Sequence, residues 1–261
     1  MLDSLNWSQK SYSQYFSITS PYIAGLVLKR TNSIYRPDHT NPPNYFSNYS
    51  STLKKSLNLG IYGADFAYIA LFNDQKRFSS YLKAMRSLGF ELNLEEAMDK
   101  SILEQVEISI GKPDSILRLI SLIYYDADVY LKKNLRNDVA ILIITGGWIE
   151  SMYLLCNEYK LTQNEQLYTF ICSQKQTLDN LIVQLSVFFE KDQEMKKMTE
   201  SLVDLAYEFD AISYNSQLTD SSSHYEKGMI EIHNKTTIQN DNKSIKNIVN
   251  KVCELRQQIV Q

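Results

Sequence analysis

The scarcity of helix-breaking residues constrains the fold of this chain more than any other feature of its sequence. The 261 residues include only 8 glycines and 5 prolines, and three of the prolines fall within residues 35–45. Glycine and proline disfavour a helix interior more than any other residues, so long stretches without them favour helices. The apolar-periodic segments are separated by short polar connections, which favour antiparallel packing of sequence neighbours.

These patterns predict an all-α fold, an antiparallel up-and-down bundle of about seven or eight helices. An α-solenoid is the alternative, but the sequence lacks the repeat of fixed period that usually marks one. Residues 215–228 are polar and predict a loop. Residues 229–238 alternate apolar and polar side chains, which indicates a small β-hairpin before the last helix. We expect a polar N-terminal segment over residues 1–19 and a single helical domain over residues 20–261.

Several short patterns predict where individual helices begin and end. Gly89 follows an apolar-periodic segment and is typical of a left-handed C-terminal cap. Asn93 with Glu96, and Thr162 with Glu165, have the spacing of a capping box, in which the two residues satisfy each other's backbone amides. The second box predicts one long helix from residue 162 to about residue 191.

The composition excludes some classes of partner. A formal net charge of −3, from 30 acidic and 27 basic residues, argues against nonspecific nucleic-acid binding. The apolar run at residues 139–148 is too short to span a membrane, so no transmembrane segment is expected. The first residues lack the basic start and apolar stretch of a signal peptide. The three cysteines form no CxxC pair, and we expect small buried thiols rather than disulfides.

One polar constellation lies in the middle of an otherwise apolar helix, in the stretch LNLGIYGADFAY at residues 57–68. Asn58, Tyr62 and Asp65 are spaced i, i+4 and i+7, which places them on one helix face. Gly60 and Gly63 lie nearby, and a helical glycine suggests close approach of another helix because it costs about 1 kcal/mol relative to alanine. A carboxylate in such a crowded place needs a partner.

A second stretch, TGGWIESMYLL at residues 145–155, has the same character. Glu150 and Tyr153 follow Gly146 at i+4 and i+7, and Trp148 adds a large side chain with one hydrogen-bond donor. We predict that six residues of the two stretches meet inside the bundle: Asn58, Tyr62, Asp65, Trp148, Glu150 and Tyr153. The group is either a buried hydrogen-bond network that fixes helix register or the lining of a ligand or catalytic site.

No motif supplies an assembled catalytic set. The sequence has no GxSxG, HExxH or phosphate-binding loop. A di-metal centre in a helical bundle needs Glu-x-x-His pairs, whereas His39, His224 and His233 all lie outside the predicted central helices. We therefore predict no metal, no cofactor and no identifiable catalytic residue.

The strings YSSTLKKSLNLGIYGADFAYIALFN and ADVYLKKNLRNDVAILIITGGWIESMYL, with a final helix ending in ELRQQIV, carry a family resemblance. With their NLGxYGxD and GGWxExxYL motifs they resemble a group of bacterial all-helical proteins of uncharacterised activity, covering nearly the whole chain. Many members are exported or lipid-anchored, so the resemblance implies a helical domain associated with the cell envelope. This chain differs from them in having no visible signal peptide or lipobox cysteine.

Three functions are compatible with the sequence. The first is a non-enzymatic binding or interaction protein whose partner is an unknown protein or small molecule. The second is a small-molecule sensor or binding domain with a pocket between helices. The third is a hydrolase-type enzyme that uses its buried carboxylates as acid or base.

Overall fold

The computed structural model describes residues 21–94, 105–106, 108–109, 112–190, 192–212, 214–224, 229–238 and 242–261. The fold is all-α, as predicted, and the described residues contain nine α-helices. The predicted N-terminal segment and most of the helix expected after Asn93 lie outside the described residues. The helices are α1 Pro21–Arg30, α2 Thr52–Leu71, α3 Gln75–Glu91, α4 Pro113–Lys133, α5 Asn137–Thr162, α6 Glu165–Cys172, α7 Lys175–Ser186, α8 Gln193–Asp210 and α9 Asn242–Val260.

Two short 3-10 helices and a hairpin complete the described structure. The 3-10 helices, Pro37–His39 and Pro43–Asn48, lie in the proline-rich segment between α1 and α2. The hairpin consists of β1 Tyr214–His224 and β2 Met229–Ile238, paired antiparallel with one irregularity after Leu218. The expectation of a loop over residues 215–228 is therefore wrong for most of that range. The segment that forms β1 is polar and has low strand propensity, so its strand conformation depends on pairing with β2.

The helices α2 and α5 form the centre of the bundle. Every residue of α2 from Ser56 to Leu71 is buried, which is typical of a helix that is covered on all sides. In α5 the buried residues run from Val139 to Tyr159 with few interruptions. The buried apolar side chains of the bundle belong to one contiguous core cluster.

Helix α5 is long and apolar enough to cross a membrane, by length and composition alone. Its mean hydropathy reaches 1.8, but 89% of that apolar window is buried inside the protein. The run at residues 139–148 is therefore one part of a 26-residue helix. Because the core helix of a folded domain passes the same test, its burial is weakly consistent with the expected lack of a transmembrane segment.

Side-chain contacts show how the helices are oriented. The Lys55–Glu91 ion pair, with an N···O distance of 2.8 Å, and the Phe66–Phe78 ring contact show that α2 and α3 are antiparallel. Contacts from α2 to α5 advance in the same direction along both helices, so this non-sequential pair is parallel. At one end, Leu57 of α2 lies against Gly146 of α5. Further along both helices, Tyr68 of α2 and Glu158 of α5 both lie close to Arg36.

Four of the helices end in the same backbone geometry. The second residue after the helix has a positive φ angle, and the amide of the residue that follows it bonds back to a carbonyl of the last helical turn. These left-handed residues are Asn32, Asn73, Asn93 and Leu135. The prediction that Gly89 ends α3 is wrong, because the apolar face of α3 continues and the helix runs to Glu91. Asn93 is consequently a left-handed residue after α3, and the capping box predicted for it with Glu96 lies outside the described residues.

The predicted capping box at Thr162 is also wrong. Thr162 still belongs to α5, and its hydroxyl donates to the Glu158 carbonyl at 2.9 Å. Asn164 caps α6 instead, because its side-chain oxygen accepts the amides of the first turn.

The long helix expected after residue 162 is divided into α6 and α7. At the division, the Ser173 hydroxyl and the Gln174 amide both donate to the Phe170 carbonyl, at 2.7 and 3.3 Å. Side chains that bond to nearby backbone carbonyls in this way compete with the regular helical pattern.

The backbones of α2 and α5 touch where they cross. A β-carbon added to Gly60 would lie 2.0 Å from the Ile143 carbonyl oxygen, and one added to Gly146 would lie 1.9 Å from that of Leu57. Both distances are far below van der Waals contact, and the obstructing atoms belong to rigid helical backbone. Only glycine at each position allows the two helices to pack this closely.

We expect Gly60→Ala to destabilise the protein even though alanine is the better helix former. Separating the two central helices should lower the free energy of unfolding by about 3 kcal/mol or more, as for severe overpacking of a core. Urea denaturation checks this, with Ser79→Ala on the exposed face of α3 as a control that should change stability by less than about 0.5 kcal/mol. A Gly60→Ala protein as stable as the wild type would show that the crossing is not tight.

Candidate functional site

The polar face of α2 holds a segment of the proline-rich loop. The Tyr62 hydroxyl donates to the Pro42 carbonyl at 2.9 Å. The backbone amide of Asn41 donates to Oδ2 of Asp65, also at 2.9 Å. Asn58, Tyr62, Asp65 and Asn41 are all without solvent exposure, so the loop is buried at this point. A buried loop needs such partners because its backbone groups are not paired within a helix or sheet.

Asn58 connects this loop to the C-terminal helix. Its side-chain oxygen accepts a hydrogen bond of 3.3 Å from the Asn41 amide group. Its own amide group donates to the Ile259 carbonyl at 3.1 Å, near the end of α9. One amide side chain therefore fixes two segments that are far apart in sequence.

Two tyrosines outside the predicted set also form hydrogen bonds to the loop. Tyr81 of α3 donates to the Asn41 carbonyl at 2.9 Å and contacts the Thr40 hydroxyl at 2.6 Å. The Tyr49 hydroxyl accepts from the Asn41 side chain at 2.9 Å. Burial raises the pKa of the Tyr62 and Tyr81 hydroxyls. Both therefore remain neutral hydrogen-bond donors.

Glu150 of α5 is paired with an arginine of α9. Its two carboxylate oxygens accept from Nε and Nη2 of Arg256 at 2.9 and 3.1 Å, a bidentate arrangement. Glu150 is fully buried and Arg256 is only 7% exposed. The Arg256 guanidinium carbon also lies 4.6 Å from the centre of the Tyr153 ring. Burial disfavours the charged guanidinium, but the charge of Glu150, its hydrogen bonds and the neighbouring groups together outweigh burial, and the pKa of Arg256 is raised.

Asp65 meets Glu150 inside the bundle, and the two carboxyl groups share a hydrogen bond. Two ionised carboxylates cannot bond to each other, so one of them carries a proton. Burial, with the nearby charge of Glu150, raises the pKa of Asp65 well above its ordinary value, despite opposing contributions from Arg256 and the Asn41 amide. Oδ1 of Asp65 has no N–H or O–H donor among the described residues, as expected of the oxygen that carries the proton. We therefore assign the proton to Asp65.

The remaining two predicted residues lie differently. Tyr153 is half-buried at the outer edge of the cluster, with its ring 6.5 Å from that of His39. Burial and the charge of Arg36 lower the pKa of His39, so this ring is mainly neutral at pH 7. Trp148 is buried on α5, but its indole N–H has no acceptor among the described residues. Trp148 therefore does not join the hydrogen-bonded network.

The geometry leaves the two carboxyl groups no access to solvent. Both side chains are 0% exposed, and their partners are groups of the protein itself. A groove that is open to solvent lies between α1 and α6, and its lining contains no residue of the cluster. Among the described residues, no three histidine, cysteine, aspartate or glutamate side chains gather as a metal site requires. The arrangement holds helices together, and neither carboxyl group is exposed at the surface.

Sequence reasoning missed two residues on which the cluster depends. Arg256 falls at the spacing of the buried face of α9, after Val252 and before Ile259. A charged residue on an apolar stripe of this kind signals a buried partner, and Glu150 is the partner. Asn41 lies in a loop, and its position against α2 had no periodic signal.

Comparisons with known proteins add no further constraint. No family model, no curated protein and no solved structure matches this chain. The interpretation of the cluster therefore depends on its geometry.

We expect Asp65→Asn to be tolerated and to change how stability depends on pH. The asparagine amide can donate to Glu150 while its oxygen accepts from Asn41, as protonated Asp65 does. In the wild type, the folded state keeps a proton that the unfolded chain releases above the ordinary pKa of 3.8. Stability should therefore fall relative to Asp65→Asn, by up to about 1.4 kcal/mol per pH unit, between that value and the raised pKa.

Urea denaturation of both proteins from pH 4 to pH 8 measures this difference. Asp65→Leu is the matched control, because it has a similar size but cannot bond to Glu150 or Asn41. We expect it to be less stable than Asp65→Asn at every pH, by about 1 to 3 kcal/mol for the unpaired groups left behind. Parallel pH profiles for the wild type and Asp65→Asn would contradict a proton on Asp65.

Proposed function

We propose that this protein is a non-enzymatic interaction protein whose buried polar cluster fixes the arrangement of its helices. The observation that carries the proposal is the complete enclosure of Asp65 and Glu150, with every identified partner supplied by the chain. A general acid or base must reach a substrate proton directly or through one water molecule. Enclosure on all sides therefore weighs against the hydrolase alternative.

The exposed surface supports an interaction role at one end of the bundle. Leu135, between α4 and α5, is 87% exposed, and Phe90 near the end of α3 is 66% exposed. A hydrogen bond from the Arg136 side chain to the Leu92 carbonyl joins the two turns, so both apolar side chains lie at this end. Grouped exposed apolar side chains are one way in which a contact surface for another protein is built, and these two residues are our candidates for it.

The backbone at Leu135 makes this position unusual. Its φ angle is +57°, whereas the equivalent residues after α1, α2 and α3 are asparagines. Asparagine is enriched in this left-handed conformation, whereas leucine is disfavoured there. Leucine thus reduces stability while exposing an apolar side chain, a combination that favours a functional role over a structural one.

We expect Leu135→Asn to stabilise the free protein and to weaken its association with a partner. Relief of the left-handed strain should raise the free energy of unfolding by about 1 kcal/mol. Urea denaturation checks the stability, and affinity purification from source cells with each protein as bait checks the association.

Val183→Asn is the matched control for that experiment, because it removes another exposed apolar side chain, one that is 66% exposed on α7. The proposal expects proteins that are captured by the wild type and by Val183→Asn but lost with Leu135→Asn. Equal capture by all three baits would count against a contact surface at Leu135.

A groove between α1 and α6 favours small-molecule binding as the second candidate function. Its volume is about 530 Å³, within the usual range for ligand sites, and it is open to solvent. Val27 and Phe170 give it an apolar part, while Arg30 and Glu165 supply charges of both signs. This lining suits a small amphipathic molecule better than a bare ion.

A thermal-shift screen against metabolites and divalent metals separates these possibilities. Thr169→Trp should fill the groove, because Thr169 lines it and its side chain is exposed. A ligand whose stabilising effect disappears in Thr169→Trp but survives in Asp65→Asn would support groove binding. An effect lost only in Asp65→Asn would restore a ligand-binding role for the polar cluster, and no stabilising ligand would favour the interaction protein.

The family resemblance of the two motif strings adds a proposal about location. We propose that the protein acts in association with the bacterial cell envelope, as the exported members of that group do. Fractionation of source cells with an antibody to the native protein tests this. Recovery solely with the soluble cytoplasmic fraction would contradict the proposal.

A further inference from the structure

A thiol and an amine meet where α9 packs against α5, on the outer side of the buried ion pair. The Lys160 ammonium of α5 donates a hydrogen bond of 3.3 Å to the Cys253 sulfur of α9. Cys253 is partly exposed, so small molecules in solution can reach its sulfur. The contact lies outside the polar cluster, and neither residue has a role in the network described above.

A second thiol lies beside this contact. Cys156 precedes Lys160 by one helical turn, so the two residues are neighbours on the surface of α5. The contacts of Arg256 with Tyr153 and of Cys253 with Lys160 lie on either side of Cys156 along α5. The charges of Cys253, Lys160 and, to a smaller extent, Cys172 act on the Cys156 thiol, which agrees with their being neighbours, and Cys253 has the largest effect of the three.

We infer that Cys253 is an oxidant-reactive thiol and that Cys156 is the thiol that resolves it, forming a reversible disulfide between α5 and α9. The inference is independent of the proposed interaction role. It rests on the meeting of two thiols and one amine at a junction between helices, with only one of the two sulfurs accessible.

The chemistry requires a peroxide as oxidant and proceeds in two balanced steps. The Cys253 sulfur attacks one oxygen of hydrogen peroxide, the O–O bond breaks, and Cys253 sulfenic acid and water are formed. The Cys156 sulfur then attacks the Cys253 sulfur, the S–O bond breaks, and the hydroxyl group leaves as water with the proton of the Cys156 thiol. Both thiols are oxidised, and one peroxide molecule is reduced to two of water.

The surroundings of the two thiols determine the order of these steps. The Lys160 ammonium can stabilise the negative charge on the sulfur that attacks the peroxide, as cations do at reactive cysteines. Burial raises the pKa of the Cys156 thiol, so Cys156 is a poor first target for an oxidant. Cys156 reacts only once a sulfenic acid has formed next to it.

The third cysteine provides a control within the same molecule. Cys172 of α6 is buried, and burial raises the pKa of its thiol to about 11. It is therefore another shielded thiol, and it also competes with Cys253 as a partner for Cys156. Its oxidation rate measures the background reactivity of shielded thiols in this fold.

The test is oxidation of the full chain by hydrogen peroxide, followed by alkylation and peptide mass mapping without reduction. We expect a peptide pair joined through Cys156 and Cys253 that dithiothreitol separates again. Cys253 should react faster than Cys172. The thermal midpoint should rise on oxidation and return on reduction, because the bridge closes a long loop.

Single substitutions separate the steps. Cys156→Ala should let the sulfenic acid at Cys253 accumulate, which dimedone labels. Cys253→Ser should abolish the bridge, and Cys172→Ser should leave it unchanged. Lys160→Met, at an exposed position, should slow the oxidation of Cys253 to the sulfenic acid several-fold. If Cys156→Ala does not fold, the Cys253→Ser and Lys160→Met proteins still test the proposal.

Three results would overturn the inference. The first is oxidation of Cys253 no faster than that of Cys172. The second is a bridge that joins Cys156 to Cys172, and the third is no bridge in the folded wild-type chain. An unchanged rate in Lys160→Met would overturn the role assigned to the ammonium group.

Discussion

The close crossing of α2 and α5 is the constraint on which the rest of the structure depends. With Gly60 and Gly146 at the contact, the helices approach until backbone meets backbone. This proximity brings Asp65 of one helix to Glu150 of the other, away from solvent. Two isolated carboxylates there would cost many kcal/mol, so the protein neutralises the pair with one proton and one arginine. The proton belongs to Asp65, and α9 supplies the arginine.

This compensation also fixes parts of the chain that are far apart in sequence. The loop at Asn41 and the end of α9 at Ile259 bond to side chains of α2, and Glu150 in the middle of α5 bonds to Arg256 of α9. Apolar packing alone would tolerate small shifts of these elements, whereas an unpaired buried polar group does not. A buried ion pair adds little net stability, but it penalises every arrangement in which Arg256 and Glu150 are apart. The cluster therefore acts on the specificity of the fold.

The sequence predicted the helices and the inward face of α2 because both have a local, periodic signal. Asn58, Tyr62 and Asp65 needed only the 3.6-residue period to be placed together. Contacts between distant segments have no such signal. Asn41 lies in a loop, and the period of α9 places Arg256 on a buried face without identifying Glu150 as its partner. The predicted helix ends were wrong for a related reason. Gly89 has the right chemistry for a cap, but the apolar face of α3 continues past it, and burial of that face outweighs a local preference. The first strand was missed because its stability depends on its partner strand.

The interior and the surface of the bundle differ in whether unfavourable features are compensated, and this difference bears on the proposed function. Inside, each strained or charged feature has a compensating partner: the glycines match at the crossing, and Glu150 matches Arg256. At the surface, Leu135 adopts a left-handed backbone without apparent compensation, although asparagine fills the equivalent place at three other helix ends. Natural sequences depart from local preference mainly where function demands it. This contrast supports the proposal that function lies on the surface of the bundle, at exposed residues such as Leu135, while the cluster maintains the scaffold that presents them.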